Sequence, residues 1–152
     1  MSGVSVFVLH LGATLFMTGV IWVIQLVHYP LFDRVSPEHF VAFEAAHSYW
    51  ITWVVLPPMV TQLLTAFFLC WRPPAFLPLW LIWAGAALTV GTWLSTFVLS
   101  VPQHQQLSMG FDTQAHQLLV RTNWVRNACW SLHSGLLLYG LRDLLSLLQH
   151  KI

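Results

Sequence analysis

The chain has 152 residues, of which 57% are hydrophobic and 7% charged, with a net charge of +1. A soluble domain carries roughly 25% charged residues, so a water-facing globule is excluded, and with no basic patch in the sequence nucleic acid is not expected as a partner. What remains is an all-α integral membrane four-helix bundle, a single transmembrane domain over 1–152, with both termini on the cytoplasmic side.

The first helix is predicted over about 4–31. The start lacks a basic segment and a small-residue cleavage site, so it reads as a retained helix and not as a signal peptide. The helix stops near Tyr29-Pro30, because a residue before proline avoids the helical region. Most of its polar groups fall on one stripe: His10, Thr14, Met17, Ile21, Gln25 and His28. That spacing is the seam of a packed helix. His10 and His28 then face the same neighbours from opposite ends, roughly 27 Å apart at about 1.5 Å per residue.

Ser36-Pro37-Glu38 reads as a helix start, with proline and an acid in the first turn. The second helix is predicted over 37–71 and is expected to kink at Pro57-Pro58. The third covers about 77–101 and is expected to end at Pro102. A polar loop follows to Gln114, and the fourth helix runs over about 116–148. Thr89, Thr92 and Thr96 share a face with Gly85, which suits close packing with hydroxyls bonded to backbone. Cys70 and Cys129 are expected near opposite ends of the bundle, and no disulfide is expected between them. Arg72, Arg142 and Lys151 give the side holding the termini the larger positive bias, which places that side in the cytoplasm. Trp50, Trp71, Trp80 and Trp124 suit interfacial belts. The expected location is a multi-pass protein of the bacterial inner membrane.

Polar side chains within a bilayer are costly and usually face the bundle interior. Glu44 and His47 stand at i and i+3 on the second helix, the Glu-x-x-His spacing of metal-binding four-helix bundles. His28, His104 and His116 come from the other three helices at the same end. These five are the candidate metal ligands. Their imidazole-rich set leans towards copper, zinc or iron, as one or two ions. Glu44 is placed as a bridge or base. Arg126 either pairs with Glu44 or holds haem propionates or an anionic substrate, with Asp112 as a further partner of the site. Deeper in the bundle, His10 and His133 fall at a similar depth and could clamp a haem iron, or bond neighbouring hydroxyls and carbonyls.

His10-Leu11-Gly12, Gly19 and the run to His28, followed by Phe43-Glu44, Pro57, Met59-Val60 and Thr61, resemble the HemJ-type protoporphyrinogen oxidases over roughly the first 70 residues. Where that family has basic residues after its Tyr-Glu, this chain has His47-Ser48-Tyr49. The resemblance implies a small membrane bundle with haem b held by His10. The layout is also similar to the anthrone oxygenase-like membrane proteins. The function expected is a metal-dependent oxidoreductase at the non-cytoplasmic end, acting on a small hydrophobic substrate from the lipid bilayer. A haem b oxidase or electron carrier and a non-enzymatic accessory or metal-handling subunit stand as alternatives. A homo-oligomer is compatible with each.

Overall fold

Ser2 opens the fold: its hydroxyl accepts from the Ser5 amide at 3.1 Å and caps helix α1, Gly3–Val23. The computed structural model describes residues 2–149, so Lys151 lies outside the described residues. Beyond Val23 the chain stays helical through a π-helical turn, Ile24–His28, and a 3₁₀ segment, Tyr29–Arg34. Helix α2 spans Pro37–Trp71, with Pro37 at its first position and Glu38 in its first turn, as the sequence indicates. It is continuous through Pro57-Pro58, and the Pro57 carbonyl accepts from the Thr61 hydroxyl at 2.9 Å.

Helix α3, Leu79–Ser95, does not end at Pro102. A second π-helical turn, Thr96–Ser100, leads into helix α4, Val101–Leu107. Pro102 sits in the first turn of α4, where its missing amide is no loss. The expected loop shrinks accordingly, and His104 becomes helical. Helix α5, Thr113–Gln149, closes the bundle. Asp112 caps α5, its carboxylate accepting from the Ala115 amide at 2.7 Å.

Two apolar clusters hold the helices together. At one end Val6 and Phe7 of α1 meet Leu69 of α2, Leu81 of α3, and Leu137 and Leu144 of α5. The first turns of α1 and the late turns of α5 thus share one end. At the other, Tyr29, Phe32, Phe40, Leu107 and Leu119 form the second cluster. Between them lies a buried polar layer that includes His10, Thr14, Gln62 and His133. Large apolar side chains such as Phe67, Val98, Leu132 and Trp50 cover the outside. This is the reverse of a water-soluble bundle.

Among the described residues three helical stretches are long and apolar enough to cross a membrane: Gly3–Arg34, Pro37–Trp71 and Leu79–Leu107. The sequence predicts four such crossings, and α5 is not among those three. Its inner face carries Asn123, Arg126, Asn127 and His133, all buried, and these lower its average apolarity, while Trp124, Val125, Leu132 and Leu138 are exposed on its outer side.

Candidate functional site

The buried layer in mid-bundle forms one directional hydrogen-bond chain. The Thr65 hydroxyl donates to the Thr61 carbonyl at 2.6 Å, so its oxygen accepts from His10 Nδ1–H at 2.7 Å. Neutral His10 then offers Nε2 as an acceptor, and His133 Nε2–H fills it at 3.2 Å. His133 Nδ1 accepts from the Gln62 amide at 3.3 Å, which also donates to Thr14 Oγ1 at 2.9 Å. Gln62 Oε1 accepts from Trp130 Nε1–H at 3.1 Å.

His10 and His133 therefore meet, as their depths predict, but as a hydrogen-bonded pair. Imidazoles flanking one metal at about 2.0–2.1 Å each would stand roughly 4 Å apart. The space the two line is about 10 Å³, no more than the 10–15 Å³ a single water needs. The residues as packed do not fit a porphyrin between them. Gly85 makes the packing possible, because a Cβ there would lie 2.7 Å from His133 Nε2. Gly85→Ala is expected to push His133 off His10 and to lower unfolding stability by about 1–3 kcal/mol. Thermal unfolding in detergent checks this, and an unchanged midpoint would show that the pair yields freely.

The second polar cluster lies at the end away from the first turn of α1. Arg126 donates to the Tyr29 hydroxyl at 3.1 Å. Since guanidinium only donates, the Tyr29 hydrogen is directed to His104 Nε2, also at 3.1 Å. His104 Nδ1–H then donates to Glu44 Oε1 at 2.6 Å, and Ser48 donates to the same oxygen at 3.1 Å. The result is a Tyr29–His104–Glu44 relay, a hydroxyl served by an imidazole that a buried carboxylate orients. His28 Nε2 and His47 Nδ1 are hydrogen-bonded at 2.7 Å.

The five expected ligands gather at this end but do not share one point. Among the described residues no group of three or more His, Cys, Asp or Glu side chains is set to hold a metal ion. Phe32, fully buried, stands among them, its ring 5.4 Å from that of His28, 5.2 Å from His47, 6.5 Å from His104 and 6.1 Å from His116. His116 is spent elsewhere, donating Nε2–H to the Tyr29 carbonyl at 2.8 Å. Glu44 pairs with His104 and not with Arg126. Asp112 is a helix cap and not a partner of the cluster.

A cavity of about 350 Å³ opens beside the relay. Tyr29, His47, His104, Arg126 and Ser100 give it a polar wall, and Met17, Ile21, Ile51, Met59 and Trp130 an apolar one. Its volume is at the lower end for small-molecule sites, about 300–1,000 Å³. Both π-helical turns border it through Ile24, Thr96 and Ser100, and such turns recur at functional sites. Glu44 Oε2 and His47 Nε2 are buried with no hydrogen-bond partner among the described residues.

Tyr29 escapes the sequence reading, in which it only marks a helix end beside Pro30. Gln62 and Thr65 escape too, although polar residues in an apolar run are the signal that picks out His10. Comparison with protein-family models, curated proteins and solved structures found no match.

Proposed function

We propose that this chain is a multi-pass integral membrane oxidoreductase, α5 forming the fourth crossing and both termini lying in the cytoplasm of a bacterial inner membrane. A small hydrophobic substrate enters the cavity from the lipid, and a transition metal binds at Glu44 and His47. The observation that carries the reading is the pair of atoms without a partner among the described residues, Glu44 Oε2 and His47 Nε2, of which His47 lines the cavity. Buried polar atoms in a finished structure normally have partners. An imidazole nitrogen and a carboxylate oxygen suit copper, iron or zinc. His47 already bonds His28 through its other nitrogen, the arrangement that orients a metal-binding histidine.

Bound iron or copper would supply the electron-transfer chemistry that no side chain here provides. The chain's own residues do the rest. Tyr29 holds a proton at its hydroxyl, His104 Nε2 receives it, and Glu44 keeps the imidazole in the accepting tautomer. Arg126 fixes the Tyr29 oxygen from the opposite side. The apolar wall excludes water and orients the body of the substrate.

The test is metal retention after loading with copper, iron or zinc and exhaustive dialysis. Wild-type protein is expected to keep about one ion of one of these metals, and His47→Ala to lose it, with Glu44→Gln binding more weakly. Equal metal content in His47→Ala and wild type would sink the metal site, and no retained metal in either favours the non-enzymatic alternative.

A further inference from the structure

Arg126 is only 8% exposed and lies in the wall of the cavity. The Tyr29 hydroxyl and Asn123 Oδ1, which accept from it, are neutral. Asn123 is itself held by Gln25 at 2.8 Å, so the guanidinium is fixed in place. Among the described residues no carboxylate forms an ion pair with it. Glu44 is engaged by His104, and Asp112 caps α5. Arg126 Nε has no hydrogen-bond partner among the described residues.

A guanidinium stays protonated in a protein. A buried charge with no counter-charge in contact is costly, and a bound anion offsets that cost; the Glu44 carboxylate is held away from Arg126 by Tyr29 and His104. A further unpartnered buried atom, Ser100 Oγ, belongs to a residue lining the same cavity. Most of the remaining wall area is apolar, with Ser48, Thr52, Thr96, Gln105 and Ser108 adding neutral polar groups. We propose that the cavity binds a hydrophobic organic anion, a body of one or two rings or a short acyl chain bearing a single oxyanion, with that oxyanion on Arg126. A carboxylate and a phenolate share this chemistry. The proposal rests on the cavity being the substrate site but needs no metal.

The experiment is equilibrium dialysis of the full chain in maltoside micelles with a chelator present, empty micelles subtracted. The probes are 2-naphthoate against 2-naphthamide, and 4-nitrophenolate against 4-nitroanisole. Each anion is expected to bind at least about tenfold more tightly than its neutral counterpart if its oxyanion is the right one, the scale of one charge-assisted hydrogen bond in a desolvated site. A preference in the naphthoate pair alone identifies a carboxylate ligand, and one in the nitrophenolate pair alone a phenolate. R126Q is expected to abolish the preference and R126K to keep part of it. The wild-type comparison stands even if a variant fails to fold. Equal binding of anion and neutral partner in both pairs overturns the proposal while leaving the cavity as a site. Binding of none of the four overturns both.

Discussion

Gln62→Leu is expected to lower the free energy of unfolding in detergent by about 2–5 kcal/mol, with little change in the size of the side chain. Gln62, on α2, is fully buried and ties that helix to two others. It donates to Thr14 of α1 and His133 of α5, and accepts from Trp130 of α5. Leucine leaves Trp130 Nε1–H without its acceptor and both Thr14 Oγ1 and His133 Nδ1 without their donor. An unsatisfied buried polar group costs about 1–3 kcal/mol, though side-chain hydrogen bonds between membrane helices average nearer 0.6. Those two scales bracket the range given. The loss also reaches the cavity, because Trp130 forms part of its wall. Thermal or denaturant unfolding of the pure protein measures the effect. A variant as stable as wild type would mean that the polar layer contributes nothing to holding the helices in register.

That layer shows where the sequence is legible and where it stops. His10, Thr14, Met17, Ile21 and Gln25 are buried as their spacing indicates, since one helix face is a local property. The hydroxyls of Thr89, Thr92 and Thr96 bond backbone carbonyls within α3, also a local matter. Which residue meets which across the bundle depends on how α1, α2 and α5 are rotated against each other. No spacing within one helix encodes that rotation. Hence His10 can be assigned to the interior, but its bonds to Thr65 and His133 cannot be foreseen.

Pro102 is the clearest failure. A proline after an apolar run normally ends a helix, but the π-helical turn at Thr96–Ser100 lets a new helix start there with proline in its first turn. His104 therefore reaches Glu44 and Tyr29 from a helix and not from a loop. Tyr29 is carried inward by a 3₁₀ segment where the sequence shows only a stop. Phe32 among the histidines has no signature either, because an aromatic in an apolar run can face lipid or core equally well.

Glu44→Leu is expected to cost about 2–5 kcal/mol, the scale for leaving two buried donors unpaired. Glu44 is fully buried, and its Oε1 accepts from both His104 and Ser48. Leucine strands the His104 Nδ1–H and the Ser48 hydroxyl and frees His104 to change tautomer, which withdraws the acceptor from Tyr29. Glu44→Gln separates charge from hydrogen bonding: its amide oxygen can still accept from His104, so a loss of only about 1–2 kcal/mol is expected if the hydrogen bond carries the interaction. Equal losses in the two variants would show that the negative charge itself is required, with His104 then held as the imidazolium. Unchanged stability in Glu44→Leu would remove the relay as a structural unit, and the Tyr29–His104 contact would lose its basis for proton transfer.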